Sequence, residues 1–213
     1  MRLARLVLRL FGWRVVANLP PDKKYILVGA WHTSNWDFPL AIFAMWGIGV
    51  KLHFLGKQEL IDGKLGWLMK RLGVIGVDRG KTVNFVKEMA DVFANRDELR
   101  LVVAAEGTRS HADYWRTGFY YMALEANVPI AFGFIDSVAK EVGIDGYFLP
   151  TENRDKDFHK IKLFFESKRG LKPHKQGTVK FKELEPQEDV ESHQSSEVEG
   201  HQTLIEPSVP LER

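Results

Sequence analysis

The 213-residue chain contains no cysteine, and this absence excludes several kinds of chemistry. Without thiols there is no disulfide, no thiolate zinc site, no cysteine nucleophile and no lipid attached to cysteine. Long apolar runs are also lacking, because the longest, residues 38–50, has 13 residues where roughly 18 are needed to cross a bilayer. The glycine segments lack the G-x-G-x-x-G and Walker spacings, and the histidines show no H-E-x-x-H spacing, so neither a nucleotide loop nor a metal site is predicted.

Charge is divided unevenly along the chain. Residues 184–213 hold eight acidic residues and one basic residue, whereas residues 1–183 hold 29 basic and 20 acidic residues, a net charge of +9. A basic body favours an anionic partner, namely a membrane, a nucleic acid or a phosphorylated substrate. The acidic tail has no apolar periodicity and is predicted to be mostly disordered.

The first twenty residues contain four arginines and no acid, and their apolar residues recur near helical spacing. This pattern is typical of a basic amphipathic helix in a membrane surface, where each arginine near an anionic leaflet contributes about 1 kcal/mol. A helix packed on its own domain is the alternative. A secretory signal is disfavoured because Arg9 interrupts the apolar run and no A-x-A site follows.

Short apolar strand candidates alternate with helical patterns in the body of the chain. Strands are predicted at 25–30, 52–55, 74–77, 99–105 and 128–135, and helices from about 37 and over 64–72, 82–94, 119–126 and 156–167. This alternation predicts an α/β fold: a single domain with a mixed, largely parallel central sheet flanked by helices, preceded by the amphipathic N-terminal helix. The predicted division is a membrane-surface helix at 1–20, the α/β domain at 21–170 and a polar, mostly disordered acidic tail at 171–213.

The first candidate motif, H-T-S-N-W-D, follows a buried strand, where the carboxyl edge of a parallel sheet exposes side chains to a crevice. His32 and Asp37 are five residues apart, so they meet only if His32 precedes a helix and Asp37 lies in its first turn. Ser34 is then a plausible N-cap, Asp37 orients the imidazole, and His32 is a candidate general base. The competing interpretation is a structural histidine beside a helix-start aspartate.

The second motif, E-G-T-R-S at residues 106–110, directly follows the strand L-R-L-V-V-A-A. Gly107 permits a tight turn, Arg109 offers a planar fork suited to phosphate, and Glu106 needs polar partners or a cleft because it leaves a buried strand. A third segment, G-V-D-R at 76–79, puts Arg79 at another strand end as a second candidate phosphate ligand. For both arginines, a solvated side chain is the alternative.

The order of these motifs, followed by V-P-I at 128–130, resembles the four sequence blocks of the glycerolipid acyltransferases, whose best-known members are the 1-acylglycerol-3-phosphate (lysophosphatidate) acyltransferases. The resemblance covers about residues 30–136. It departs from the family at Trp31, where Asn is common, and at Ala105, which replaces the usual Pro. These departures leave the reaction type intact and leave the acceptor open between lysophosphatidate, glycerol 3-phosphate, another lysophospholipid and an amino-acid-headed lipid.

The resemblance implies transfer of a fatty acyl group from coenzyme A or acyl carrier protein to a lipid hydroxyl, by direct attack on the thioester without an acyl-enzyme. It implies that His32 is the general base and that Asp37 orients and charges it. Residues expected to contact substrate are Ser34, Lys57, Arg79, Glu106, Gly107, Thr108 and Arg109. The family requires no metal, and no cofactor is expected beyond the acyl donor.

The expected partners are a phospholipid surface, a lysophospholipid, an acyl thioester and, as one carrier of it, acyl carrier protein. The expected location is the cytoplasmic face of a membrane, as a peripheral or monotopic protein. Two other functions compete with this one. A non-catalytic module that binds anionic lipid would have no need of the His32–Asp37 pair, and a nucleic-acid-binding domain is disfavoured because the basic residues are spread among apolar ones.

Overall fold

Seven strands form the central sheet of the molecule. The computed structural model describes residues 2–77, 85–107 and 113–181. The strands are β1 (Arg14–Asn18), β2 (Lys24–Ala30), β3 (His53–Lys57), β4 (Val74–Val77), β5 (Leu99–Ala104), β6 (Ile130–Asp136) and β7 (Glu141–Phe148). The helices are α1 (Arg2–Leu10), α2 (Asp37–Ile48), α3 (Gln58–Asp62), α4 (Gly66–Arg71), α5 (Phe85–Ala94), α6 (Gly118–Glu125) and α7 (Arg154–Glu166), followed by a 3₁₀ turn at Pro173–Lys175.

The strand order is β1-β7-β6-β2-β5-β3-β4, and every neighbouring pair is parallel except β6 and β7. The predicted α/β fold with a mixed, largely parallel sheet flanked by helices is therefore confirmed. Strands β2 and β6 are buried along most of their length. They are continuous apolar runs in the sequence because helices cover both of their faces.

The N-terminal helix is shorter than the sequence predicted. It ends at Leu10, Gly12 adopts a left-handed conformation with φ of +78°, and Arg14–Asn18 form the edge strand β1. The prediction of one helix over residues 1–20 is therefore wrong in its second half. The two β-branched residues of β1 favour a strand. The strand that pairs with β1 is β7, in which Glu141 lies opposite Arg14. That partner is too distant in sequence to be recognised from the local pattern.

Helices cover the two faces of the sheet in separate layers. Helices α5, α6 and α7 pack on one face in a large aromatic and aliphatic core, and α1 and α2 pack on the other. Ile75 and Val77 of β4 contribute to the α5–α7 side, whereas the position of Gly76 between them is closed off by Gln58 and Ile61 of α3. Successive strand residues point to opposite faces, so α3 lies on the same face as α1 and α2. The following helix α4 belongs to the same β3-to-β4 crossover. We call α1–α4 the first layer.

Helix length and hydropathy bear on membrane topology. Within the described ranges, no helix is both long and apolar enough to cross a bilayer. The predicted three-part division of the chain stays a prediction, and residues 182–213 of its acidic tail lie outside the described residues.

Candidate active site

The two sequence motifs meet at one corner of the sheet. Strands β2 and β5 are parallel neighbours, with Gly29 opposite Ala104, so both chains leave the sheet at the same edge. There the backbone N–H of His32 donates to a carboxylate oxygen of Glu106, with 2.6 Å between the nitrogen and Oε2. Glu106 is buried. The Glu106 carboxylate, which follows the buried strand β5, therefore has a hydrogen-bond donor. That donor is the loop that carries the candidate base.

His32 and Asp37 are also brought together, in the one arrangement that their spacing allows. Helix α2 begins at Asp37, and His32 lies before it. The imidazole Nδ1 is 3.6 Å from Asp37 Oδ2, an ion-pair distance that is longer than a hydrogen bond. Asp37 is only 2% exposed, whereas the His32 side chain is 36% exposed. A buried anion thus faces an imidazole that substrate can reach from solvent.

The same carboxylate organises the loop before α2. Asp37 Oδ2 accepts the backbone N–H groups of Thr33 at 2.8 Å and Ser34 at 2.7 Å. The prediction of Ser34 as the N-cap is wrong: the N-cap is Trp36, without a side-chain cap, and the Ser34 hydroxyl accepts the Trp36 N–H at 3.2 Å. The helix begins three residues after Ser34, and one Asp37 carboxylate oxygen fixes the preceding loop by accepting two backbone N–H groups at once. Contact of Ser34 with substrate stays a prediction.

Gly107 forms the tight turn that its position after β5 predicted. Its φ is +64°, a left-handed conformation that favours glycine. A Cβ built at this position would lie 2.5 Å from Nε of Arg116. The exposed Arg116 side chain therefore covers the turn, while its backbone N–H donates to the Ala105 carbonyl at 2.8 Å.

Arg116 is a candidate that the sequence analysis missed. Its only local signal was a basic residue in W-R-T-G, shortly after the second motif and directly before α6. No ion-pair partner of Arg116 is found among residues 2–77, 85–107 and 113–181. An exposed guanidinium beside the Glu106–Gly107 turn is suited to binding an anionic group of a substrate.

The remaining candidates lie elsewhere along the edge or outside the described ranges. Lys57 is the last residue of β3, which neighbours β5, so it is at the same edge of the sheet but one strand further from His32. Arg79, Thr108 and Arg109 lie outside the described residues. Their predicted contacts with substrate stay predictions.

Trp31, the departure from the usual pattern before the histidine, has a structural role. Its ring is buried, its indole Nε1 donates to the Phe165 carbonyl at 3.1 Å, and it packs edge-to-face on Trp115 with 5.4 Å between ring centroids. Buried indole rings of this kind need a partner for the N–H. The base of the His32 loop is therefore fixed to the end of α7.

A buried histidine, His53, is remote from this corner. His53 begins β3, at the opposite edge of the sheet. Burial lowers its pKa, and the cations of Arg96 and Lys51 lower it further, so His53 is a neutral core residue near pH 7. In the part of the chain that the structure describes, no cluster of three or more His, Asp or Glu side chains is arranged to hold a metal ion.

Comparison with known proteins assigns the chain to a family. A family model described as Acyltransferase matches residues 14–131, more than half of the chain. The chain belongs to the acyltransferase family. Acyl transfer is thus its class of reaction, and the matched residues include both motifs of the corner described above.

A solved structure supports the same fold. The crystal structure of the 1-acyl-sn-glycerophosphate (LPA) acyltransferase PlsC from Thermotoga maritima aligns with this acyltransferase at a TM-score of 0.51 and 17% sequence identity. The alignment covers 78% of this chain and 75% of that one. At this identity the likeness establishes the fold alone. No curated protein matches the sequence.

Proposed function

We propose that this acyltransferase moves a fatty acyl group from an acyl thioester to the hydroxyl of a lysophospholipid, with 1-acylglycerol 3-phosphate as the default acceptor. The observation that carries the proposal is the buried Asp37 beside the accessible His32, at the strand edge where open α/β sheets bind ligands. The similar solved structure is an enzyme named for 1-acyl-sn-glycerophosphate, which supports this choice of acceptor.

In the proposed mechanism, His32 is the general base. Because Nδ1 faces Asp37, Nε2 is the nitrogen that accepts the proton of the acceptor hydroxyl. The hydroxyl oxygen bonds to the thioester carbonyl carbon, the C–S bond breaks, and the imidazolium returns its proton to the departing sulfur. The products are an ester and a free thiol. Asp37 stabilises the imidazolium while it exists, and a positioned base of this kind contributes about 10²–10⁴ in rate.

The acceptor phosphate is proposed to lie against the basic side of the corner. Arg79 and Arg109 are the predicted phosphate ligands, and Arg116 extends the set because its guanidinium covers the Glu106–Gly107 turn. A planar guanidinium can bind two phosphate oxygens at once. The net charge of +9 over residues 1–183 would attract such a lipid to the protein.

The first layer is proposed to dock on an anionic bilayer at the cytoplasmic face, which makes the protein peripheral or monotopic. Of the 17 large apolar side chains exposed in the described ranges, 12 lie in the helices of this layer or directly beside a helix end: Leu3, Leu6, Leu10, Phe11, Trp36, Phe38, Phe43, Trp46, Leu60, Leu65, Trp67 and Leu72. Exposed Arg2, Arg9, Lys64 and Arg71 lie among them. An apolar surface of this size bordered by cations is typical of membrane binding.

Replacing Trp67 by alanine is expected to weaken binding to vesicles that contain anionic phospholipid by about tenfold, since burying a large side chain stabilises by about 1.5–3 kcal/mol. Trp67 is 68% exposed on α4. The matched control is Leu163→Ala, which removes a 58% exposed side chain from α7 on the other face. Sedimentation with vesicles measures both. If both variants lost vesicle binding to the same extent, the first layer would not be the docking surface.

The experiment for the proposed reaction is the appearance of free thiol when purified protein is mixed with lysophosphatidate and a long-chain acyl-CoA. A thiol reagent gives almost no protein background because the chain has no cysteine. Acceptor-dependent thiol release is the expected result. Release only with glycerol 3-phosphate or another lipid would reassign the acceptor. If no thiol were released with any of a panel of acyl-CoA and acyl carrier protein donors, the proposal would be overturned in favour of a non-catalytic anionic-lipid-binding module.

A further inference from the structure

A segment beyond the residues matched by the family model packs against the His32 loop. We call residues 168–172, directly after α7, the strap. On one side the strap is attached to the turn after β6. The Ser137 N–H donates to the Arg169 carbonyl at 2.7 Å, and the Ser137 hydroxyl donates to the Gly170 carbonyl at 2.8 Å. The Gln176 side chain closes the strap by accepting the Gly170 N–H and donating to the Lys168 carbonyl.

On its other side the strap holds Thr33. The backbone N–H of Lys172 donates to the Thr33 hydroxyl oxygen at 3.0 Å, although the two residues are 139 positions apart. Thr33 is 3% exposed, and its own backbone N–H donates to Asp37 Oδ2 at 2.8 Å. Thr33 therefore links the strap to the carboxylate that faces His32.

The fit between strap and loop is close. Gly170 is buried, and a Cβ built on it would lie 2.9 Å from the Thr33 hydroxyl oxygen and 3.1 Å from the Trp31 Cβ. Contacts below 3.0 Å are essentially never seen for a real Cβ, so any side chain at 170 would push the strap and the loop apart. The absence of a side chain at this position is what permits the Lys172–Thr33 hydrogen bond.

We propose that Thr33 is a positioning residue for acyl transfer: the strap, through the Thr33 hydroxyl, fixes the loop so that Asp37 stays against the His32 imidazole. The inference rests on the proposed role of His32 as general base. Among the described residues, Asp37 and Glu106 hydrogen-bond to the loop through their carboxylates, and Lys172 does so through its backbone N–H. Small displacements of a catalytic group cost rate steeply, so the strap is expected to act on the chemical step and not on substrate affinity.

The test compares Thr33→Val, which keeps the shape of the side chain and removes the hydroxyl, with Thr33→Ser, which keeps the hydroxyl. For Thr33→Val we expect kcat to fall about tenfold or more, with KM for donor and acceptor within about twofold of the wild type. Thr33→Ser should restore kcat to within about twofold. Ser167→Ala is the matched control and should leave kcat unchanged, because within the described residues the Ser167 hydroxyl bonds only to the Phe164 carbonyl at the end of α7.

A second measurement does not depend on activity. Hydrogen exchange followed by mass spectrometry should show faster exchange across residues 31–37 in Thr33→Val than in the wild type. Ser137→Ala, which weakens the far attachment of the strap and leaves the loop sequence intact, should shift both kcat and exchange in the same direction. If exchange were faster in Thr33→Val but the wild type showed no acyl transfer, the contact between strap and loop would be supported and the proposed function rejected. Unchanged kcat and exchange in Thr33→Val, or a Thr33→Ser variant as impaired as Thr33→Val, would overturn the role of Thr33.

Discussion

Replacement of His32 by alanine is expected to abolish acyl transfer, with kcat lower by about 10²–10⁴ or more, while folding and vesicle binding stay at wild-type levels. The imidazole is partly exposed, and the side-chain partner that the structure gives it is Asp37. The loop itself is held by backbone N–H groups of residues 32–34, and these hydrogen bonds do not need the imidazole. The rate is therefore expected to fall without a loss of stability.

Thiol release, circular dichroism and vesicle sedimentation measure the three properties separately. His159→Ala is the matched control, because His159 is exposed on α7 in the opposite layer. This control variant should have the kcat of the wild type. Asp37→Asn is expected to lower kcat as well, since the imidazolium loses its anion. A His32→Ala variant that retained wild-type turnover would exclude the general-base mechanism.

The largest expected effect on stability belongs to Asp157, which is completely buried on α7. Its Oδ2 accepts the Thr151 N–H at 2.6 Å, the Thr151 hydroxyl at 3.0 Å and the Tyr120 hydroxyl at 3.3 Å, and its Oδ1 pairs with Lys160 at 2.9 Å. The single proton of the Tyr120 hydroxyl is shared between Asp157 Oδ2 and the Thr151 carbonyl. One carboxylate thus joins α6, α7 and the loop that follows β7.

The titration of this cluster follows from its burial and its hydrogen bonds. Burial by itself raises the pKa of Asp157, but the hydrogen bonds from Lys160 and from Thr151 together outweigh burial and leave that pKa below its usual value. Burial, followed by the charge of Asp157, raises the pKa of Tyr120 to about 12. Near pH 7 Asp157 is therefore a carboxylate and Tyr120 a neutral phenol.

Asp157→Ala is expected to lower the free energy of unfolding at pH 7 by about 3 kcal/mol, because buried donors lose a charged acceptor. The native pKa of Asp157 lies below its unfolded value of about 3.9. The stability that its ionisation contributes is therefore present above that unfolded pKa and is lost as the pH falls through the native one.

Denaturant unfolding measured between pH 3 and pH 7 checks this prediction. The difference between wild type and variant should be constant near neutrality and shrink below about pH 4. The exposed Asp155→Ala, also in the first turn of α7, is the control and should change stability by less than about 0.5 kcal/mol. A difference that did not vary with pH would mean that the charge of Asp157 contributes nothing.

Local patterns predicted the central strands and missed those at one side of the sheet. Strands β2 and β6 are dense apolar runs, so their burial is visible in the sequence. Strand β7 contains Gly143 and Gly146, both with positive φ. Glycine in the interior of a strand weakens the sequence pattern that identifies it, so β7 was not predicted. A Cβ on Gly143 would lie 2.0 Å from the Val16 carbonyl oxygen. The glycine is required by the close approach of β1, a partner that no local pattern reveals.

The candidate site was likewise predictable where it depends on local sequence and was not where it depends on tertiary contacts. The spacing of His32 and Asp37 allowed them to meet only if His32 preceded a helix whose first turn held Asp37, and the structure has that arrangement. Glu106 was predicted at a strand end, and the parallel pairing of β2 and β5 brought it to His32. The link from Thr33 to the strap joins residues 139 positions apart and carries no sequence motif. Tertiary contacts of this kind become visible only in the folded chain.

The exposed Trp36 and Phe38 lie on either side of Asp37, at the start of α2 and within a few residues of His32. Docking of the first layer would therefore bring the reacting corner to the plane in which a lysophospholipid already diffuses. The acceptor would be supplied in two dimensions, and its effective concentration would be its mole fraction among the surrounding lipids. Diluting the acceptor with inert phospholipid would then slow the enzyme, whereas diluting the whole vesicle suspension would not, as long as the protein stays bound.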